Sequence, residues 1–248
     1  MLQLAYLLFP GRGSINMPIM SSLSGITGPE QIITNGLVLN LDAGNPSSYS
    51  GTGTTWTDLS GNSNNATLIS GPSYDSNNKG SIVFNGTSSY ATIVSSASLN
   101  IPTNITISVW LYNQQWKEAD IIEGNFSSYG NNGFVLWTAL SDYGGNKMVW
   151  GRQASIQQLS SANYNTRVNT WYNIVGVSDG TNISIYYNGA LDISAATSLS
   201  FTNVGTRIAN GQDGFFNGKI SSINIYNRPL SASEISQNFN ALRGRYGI

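Results

Sequence analysis

The run Glu118-Ala119-Asp120-Ile121-Ile122-Glu123 places three carboxylates within six residues. Glycoside hydrolysis with retention of configuration uses two carboxyl groups about 5 Å apart, and a strand containing a bulge can bring two side chains to that separation. The chain has no Cys and no His, which excludes thiol nucleophiles, Ser-His-Asp triads and His-ligated transition metals. A carboxylate pair is therefore the only catalytic chemistry that the composition leaves.

Carbohydrate binding is a second candidate chemistry, because it needs aromatic side chains beside amide and hydroxyl groups. The chain has 6 Trp and 13 Tyr. The candidate glycan-binding residues cluster in the central third of the chain: Trp116, Tyr129, Trp137, Tyr143, Trp150 and Tyr164. A protein-binding surface would use the same aromatics, and several of them are expected to pack instead. Trp110 and Trp171 lie within predicted strands and are expected in the core.

Charge is scarce, which limits the partners. Charged residues make up 9% of the chain, and 11 Lys+Arg against 12 Asp+Glu give a net charge of -1. No strong field attracts nucleic acid or an anionic membrane, so neither partner is expected. The apolar run at residues 1–10 is shorter than the roughly 20 residues that span a bilayer and lacks the basic start of a secretory signal.

The chain divides near residue 36. Residues 1–35 contain scattered Pro and Gly and are interpreted as an N-terminal arm rather than a frayed terminus. The arm would bury its apolar side chains against another chain, since exposing so many is unfavourable. These side chains are Leu2, Leu4, Tyr6, Leu7, Leu8 and Phe9. Residues 36–248 are predicted to form the folded domain.

Alternating apolar and polar residues predict strands from Gly36 onward. In residues 105–112, for example, Ile105 and Ile107 share one face, while Thr106 and Trp110 share the other. Many short strands separated by Gly- and Asn-rich turns indicate an antiparallel sandwich or barrel.

Two local sequence signals predict structure more specifically than the alternation does. Asp179-Gly180 supplies the turn that predicts pairing of residues 171–177 with residues 182–187. Ser231 followed by Glu234 has capping-box spacing and predicts one C-terminal helix, with Ile235, Phe239 and Leu242 on its packing face. The basic tail after this helix is expected to be a solvated end.

Several motifs occur in the order typical of one family. They are Asp58-Leu59-Ser60-Gly61-Asn62-Ser63-Asn64-Asn65-Ala66-Thr67, Ser81-Ile82-Val83-Phe84-Asn85-Gly86, Ile105-Thr106-Ile107-Ser108-Val109-Trp110, residues 169–177, Tyr186-Tyr187-Asn188-Gly189, Phe216-Asn217-Gly218-Lys219-Ile220 and residues 225–235. Over roughly residues 36 to 242 this order resembles laminin-G-like domains of the concanavalin A-like superfamily. The resemblance implies a jelly roll of two curved antiparallel sheets, here with one short C-terminal helix and an extended N-terminal arm.

The opening at residues 36–46 and the ending at residues 238–248 resemble the version of this domain in tailed-bacteriophage structural proteins. That resemblance implies a non-enzymatic virion protein, as a capsid decoration or a tail or fibre component. Its arm would contact other virion proteins, and its outward-facing domain would bind cell-surface glycans. The chain would then be present in multiple copies or as a homo-oligomer on the virion surface. A secreted, extracellular carbohydrate-binding module is the alternative.

Two further site expectations follow from related proteins. The carboxylate run resembles the catalytic strand of laminarinase-type glycoside hydrolases, which implies Glu118 and Glu123 as nucleophile and acid/base, tuned by Asp120. This hydrolase is the third hypothesis, because its Asn-rich surroundings do not resemble a sugar-binding cleft. Related domains also hold Ca²⁺ at the sandwich rim, and the candidate oxygen donors are Asp42, Asp58 and Asp213. No other cofactor is expected.

Overall fold

The structure is a computed structural model that describes residues 30–124, 132–140, 146–152, 158–160, 167–202 and 205–248. The strands within these ranges are β1 (Leu37–Asp42), β2 (Thr55–Trp56), β3 (Ala66–Ile69), β4 (Ser73–Asp75), β5 (Ser81–Asn85), β6 (Tyr90–Val94), β7 (Asn104–Asn113), β8 (Ala119–Gly124), β9 (Phe134–Ala139), β10 (Lys147–Arg152), β11 (Gln158–Ser160), β12 (Trp171–Asp179), β13 (Asn182–Tyr187), β14 (Ala190–Ala196), β15 (Gly205–Ile208) and β16 (Asn217–Tyr226). One helix, α1 (Ala232–Arg243), follows them.

The strands form two antiparallel sheets around one main hydrophobic core. Sheet 1 has the order β14-β13-β12-β7-β16-β5-β4, with β1 also pairing with β16. Sheet 2 has the order β11-β10-β9-β8-β15-β6-β3-β2. This architecture confirms two predictions, the all-β sandwich and the short C-terminal helix. The sandwich is consistent with a jelly roll.

Strand β7 shows why these residues form a sandwich. It lies in the middle of sheet 1, paired with β12 on one side and β16 on the other. Ile105 and Ile107 are fully buried in the main core, as the alternation predicts. On the opposite face, the Thr106 hydroxyl donates to the Arg228 carbonyl (2.9 Å) and accepts from the Leu230 backbone N–H (2.9 Å). Both faces of the strand are therefore covered.

The hairpin between β12 and β13 confirms the predicted pairing. Ser178 pairs with Ile183, and Gly180 adopts a φ of +88°, which an L side chain would strain. The Asp179 carboxylate accepts backbone N–H groups of Thr181 (2.8 Å) and Asn182 (2.6 Å). Burial, the largest single effect, raises the pKa of Asp179, but these bonds and those from the Thr181 and Asn182 side chains together lower it to about 2.

Helix α1 begins where the sequence predicts. Ser231 is its N-cap, and both hydrogen bonds of the capping box with Glu234 are present. Ile235 is buried in a small second core that includes Val175 and Leu230 on the outer face of sheet 1. The Phe239 ring stacks on Trp110 at 5.5 Å between centroids. Trp110 is thus buried as predicted, but beneath the helix rather than between the sheets.

The tail after α1 packs onto sheet 1, and the expected solvated end is wrong. Arg245 donates from both terminal nitrogens to the two carboxylate oxygens of Asp42, each at 2.7 Å. Tyr246 is 7% exposed, with its ring centroid 4.2 Å from that of Trp110 and 4.8 Å from that of Trp171. Burying the apolar area of this ring gains more free energy than is lost in conformational entropy when the tail becomes ordered. Trp171 is only half-buried, and its indole N–H donates to Asn78 Oδ1 (3.0 Å).

Residues 30–35 also contact this side of the domain. The Ile33 backbone N–H donates to Asn238 Oδ1 (2.7 Å), and the Tyr226 hydroxyl donates to the Ile33 carbonyl (3.0 Å). The six arm side chains, from Leu2 to Phe9, lie outside the described residues, so the arm and its boundary at residue 35 stay predictions. Across the described ranges, no helix has the length and apolarity to cross a membrane.

Candidate functional site

The carboxylate run is divided by the structure into one exposed and two buried groups. Glu118 precedes β8 and is exposed, whereas Asp120 and Glu123 are fully buried. The pairing of β8 with β9 shifts register between Asp120 and Ile122. Because of this bulge, Ile121 and Ile122 both join the core, and Asp120 and Glu123 share the opposite face of sheet 2.

The loop of residues 209–216, here called the β15–β16 loop, covers this carboxylate pair. The Gln212 backbone N–H donates to Glu123 Oε2 (3.1 Å), and the Asp213 backbone N–H donates to Asp120 Oδ2 (2.7 Å). A Cβ placed on Gly211 would overlap Glu123 Oε2 and lie 2.6 Å from Asp120 Oδ2. The two carboxyl groups therefore converge on one point, and only a glycine fits above them.

Burial changes the ionisation of both groups. Burial, then the charges of Asp213 and Glu123, raise the pKa of Asp120 well above its usual value. Burial raises the pKa of Glu123 to about 7; the Gln212 N–H and Arg207 oppose this rise, and Asp213 adds to it. Within the described part of the chain, Asp120 Oδ1 and Glu123 Oε1 have no hydrogen-bond partner. Burial and mutual repulsion therefore disfavour the doubly ionised form of the pair.

This geometry does not match the hydrolase expectation. The nucleophile and acid/base implied by the resemblance are Glu118 and Glu123, but Glu118 precedes the strand and is exposed, whereas Glu123 is fully buried. Asp120 and Glu123 lie beneath the β15–β16 loop, where a glycosidic oxygen has no access in this structure. The arrangement favours a role in holding the loop.

A half-buried mixed surface lies beside the same loop, and only its Asn210 side chain is buried, at 6% exposed. The Tyr90 and Phe215 rings, both half-buried, meet edge-on at 6.3 Å between centroids. The Arg207 guanidinium lies 5.6 Å from the Tyr90 ring centroid and donates to Asn210 Oδ1 (3.1 Å). We call Tyr90, Arg207, Asn210, Gln212 and Phe215 the Tyr90–Phe215 surface. It combines aromatic rings, amides and a cation within one loop and two strands.

The aromatic residues selected from the sequence lie elsewhere. Trp150 is fully buried between the sheets, with its indole N–H donating to the Val177 carbonyl (3.0 Å), so it packs rather than binds. Trp137 is 6% exposed in a small apolar cluster on sheet 2, and Trp116 is half-buried against the main core. Tyr129, Tyr143 and Tyr164 lie outside the described residues.

Sequence reasoning missed Tyr90 and Phe215. Tyr90 begins an alternating strand, and its position on the outward face could have marked it as a candidate. Phe215 follows the polar, Gly-containing run Asn210-Gly211-Gln212-Asp213-Gly214, where an apolar ring is unexpected. Neither signal indicates that the two residues, 125 positions apart, are in contact.

The calcium candidates do not form one site. Both carboxylate oxygens of Asp42 bind Arg245, and Asp58 accepts bonds from its own turn, including the backbone N–H groups of Ser60 and Asn64 at 2.9 Å each. Asp213 lies near the buried pair instead. Among the described residues, no group of three or more His, Cys, Asp or Glu is placed to hold a metal ion.

A cleft of about 520 Å³ lies on the other side of the domain, between sheet 1 and the end of α1. Its polar lining includes Asn40, Asp42, Asn45, Lys79, Asn240 and Arg245. None of its lining residues is aromatic, so it has no ring on which a sugar could stack. Of the two surfaces, the Tyr90–Phe215 surface therefore suits carbohydrate better.

Comparison with known proteins gives one family and a set of similar folds. The Laminin_G_3 family model, described as the concanavalin A-like lectin/glucanases superfamily, matches residues 85–236. A search of curated protein sequences found no match to the chain.

The chain is similar to domain 4 of AbnA, a GH43 extracellular arabinanase from Geobacillus stearothermophilus solved with arabinotriose. The TM-score is 0.62 at 17% identity, covering 82% of this chain and 97% of that one. It is also similar to the binding domain of Paraclostridial Mosquitocidal Protein 1 (TM-score 0.65, 20% identity, 84% and 52%). A third match is the binding domain of botulinum neurotoxin DC in complex with SialylT (TM-score 0.63, 17% identity, 84% and 52%). The chain spans about half the length of these toxin domains, and at such identities the likeness concerns the fold.

Proposed function

This chain belongs to the Laminin_G_3 family of the concanavalin A-like lectin/glucanases superfamily, and from that premise we propose that it is a non-enzymatic carbohydrate-binding domain. Its ligand would lie on the Tyr90–Phe215 surface. The observation that carries the proposal is the contact between the Tyr90 and Phe215 rings beside the Arg207–Asn210 hydrogen bond. Sugar rings stack their apolar faces on aromatic side chains, while amides and guanidinium groups bind their hydroxyls.

The similar structures support a binding role over a catalytic one. The arabinanase domain was solved with arabinotriose, and one neurotoxin binding domain with SialylT. Another similar structure is that of botulinum neurotoxin type C, which depends on interaction with two ganglioside molecules to enter cells. These ligands are those of other proteins, and they make an oligosaccharide the natural first ligand class to test here.

Replacing Phe215 with Ala is expected to weaken glycan binding by about tenfold or more, since truncating a central aromatic contact costs about 2 kcal/mol and 1.4 kcal/mol is tenfold. The ligand is first selected on a glycan array with the wild-type chain, and affinities are then measured by calorimetry. Tyr90→Ala is expected to act in the same direction.

Leu191→Ala is the matched control, because Leu191 is 56% exposed on β14 of the other sheet. Equal affinities of Phe215→Ala and Leu191→Ala for the selected glycan would contradict the placement of the site. The wild-type preparation is also expected to release no reducing sugar from β-glucan, and release abolished by Glu123→Gln would support the hydrolase instead.

The biological setting stays a proposal drawn from sequence resemblance. We infer that the domain decorates a tailed-phage virion in multiple copies and that the arm, through Leu2 to Phe9, attaches it to capsid or tail proteins. A secreted carbohydrate-binding module would use the same surface. The two settings differ in what the arm does.

Deleting residues 1–29 is expected to leave a folded domain with wild-type glycan affinity that no longer joins particles. The cut is placed at residue 29 because Ile33 is bonded to α1, so a longer deletion would disturb the domain itself. Co-expression with the particle proteins, followed by sedimentation, measures incorporation. Full incorporation of the truncated chain would rule out the arm as the anchor.

A further inference from the structure

The buried pair Asp120 and Glu123 is not explained by sugar binding, since neither side chain reaches the surface. One oxygen of each carboxyl accepts a backbone N–H of the β15–β16 loop, from Asp213 and Gln212 respectively. The other two oxygens, Asp120 Oδ1 and Glu123 Oε1, are buried without a hydrogen-bond partner in the described part of the chain. A buried, unsatisfied carboxylate oxygen is costly when ionised, and protonation removes most of that cost.

Most of the charge around the pair is acidic and favours a bound proton, and one guanidinium opposes it. From the loop, the Asp213 carboxylate acts on both groups; from β15, Arg207 faces Glu123 as its paired residue. The β9 partners are Trp137 and Val135, which carry no charge. Ahead of β8, Lys117 Nζ donates to the Gly86 carbonyl (2.8 Å), and Glu118 is exposed. Among the residues that the structure describes, three carboxyl groups (Asp120, Glu123 and Asp213) and the Arg207 guanidinium therefore act on one another here.

We propose that Asp120 and Glu123 retain a proton between them and are positioning residues that hold the β15–β16 loop, and with it Phe215 and Asn210, against sheet 2. When the proton passes to a base in solution, two adjacent carboxylates face each other and Asp213. Their repulsion releases the loop, and Phe215 and Asn210 then move away from Tyr90, so that the Tyr90–Phe215 surface is lost. This inference rests on the proposed carbohydrate-binding function, whose ligand affinity would then fall at alkaline pH.

The direction of the pH effect follows from the raised pKa values. A carboxyl whose pKa is higher in the folded chain binds more protons there than in the unfolded chain. The stability linked to the proton is fully present below the ordinary carboxyl pKa of about 4 and is lost as pH rises through the folded pKa. For Glu123 that upper limit is about 7, and for Asp120 the direction is the same.

Hydrogen exchange of the loop amides, measured on the full chain between pH 5 and pH 9, tests the pair without any ligand. After correction for intrinsic exchange, protection of Gln212 and Asp213 is expected to fall by up to about tenfold per pH unit as pH rises towards the pKa of the folded pair. It should level off above that pKa, where the closed and the open loop are both deprotonated. The double variant Asp120→Asn with Glu123→Gln is neutral at every pH and is expected to keep its protection at pH 9. Glu118→Gln, an exposed carboxylate of the same run, is the control and should behave as the wild type.

Calorimetry with the array-selected glycan provides the second measurement. The wild-type affinity should fall with the loop protection, whereas that of the double variant should stay level. Loop protection that changes with pH in a chain that binds no glycan would support the pair's role and refute the proposed function. If the double variant does not fold, Glu123→Gln alone is used and should make the loss of protection smaller, because the charge of Glu123 no longer adds to that of Asp120 and Asp213.

Two results would overturn the proposal. The first is loop protection in the wild type that does not change between pH 5 and pH 9. The second is restoration of protection at pH 8 by calcium in the wild type but not in Glu123→Gln, which would identify the pair as a cation site.

Discussion

Tyr246→Ala is expected to destabilise the domain by about 3 kcal/mol, within the range for truncating a buried aromatic side chain. The Tyr246 ring is 7% exposed and lies against the rings of Trp110 and Trp171. Trp110 stacks with two rings among the described residues, and removing that of Tyr246 leaves only that of Phe239. Chemical denaturation followed by tryptophan fluorescence measures the loss.

Ile248→Ala is the control in the same tail, because Ile248 is 42% exposed. It should change the free energy of unfolding by no more than about 0.5 kcal/mol, as exposed positions do. Arg245→Ala should lie between the two variants, since it also leaves the Asp42 carboxylate without the partner that binds both its oxygens. A Tyr246→Ala chain as stable as Ile248→Ala would mean that the tail does not cover sheet 1 in solution.

Gly211→Ala is expected to abolish measurable glycan binding and to destabilise the chain by about 1–3 kcal/mol, as overpacking does. The added methyl group would overlap Glu123 Oε2 and lie 2.6 Å from Asp120 Oδ2, and both of these side chains are fully buried. The β15–β16 loop must therefore lift, which breaks its hydrogen bonds to Asp120 and Glu123 and displaces Phe215. Calorimetry with the selected glycan and thermal unfolding measure the two effects.

Gly244→Ala is the matched control. Gly244 has a φ of -59°, and a Cβ there would meet nothing within 4 Å, so the same chemical change carries no steric cost. It should leave glycan affinity unchanged and alter stability by less than about 0.5 kcal/mol. Wild-type binding by Gly211→Ala would show that the loop does not need its position over the pair.

Much of the fold follows from local patterns in the sequence. The alternation in β7, the Asp179-Gly180 turn and the capping box at Ser231 each act over a few residues, and the structure confirms all three. Such signals are readable because they depend on side-chain period, backbone conformation and hydrogen bonds between near neighbours.

The site depended on contacts that no local pattern specifies. In a regular strand Asp120 and Glu123 would lie on opposite faces, and the sequence allowed a bulge without locating it. The bulge puts both carboxyls on one face, and Gly211, nearly 90 residues later, closes over them. The same loop brings Phe215 to Tyr90.

The sequence by itself determined the sandwich, its hairpin and its helix, and it marked a carboxylate pair within residues 118–123 as the candidate catalytic group. The tertiary structure alone decided that this pair is buried, that the chain end covers Trp110, and which aromatic residues meet at the surface. The reason is physical: these features arise from strand register and long-range packing. Their free energy comes from burial between segments far apart in the chain, and no short stretch of residues encodes it.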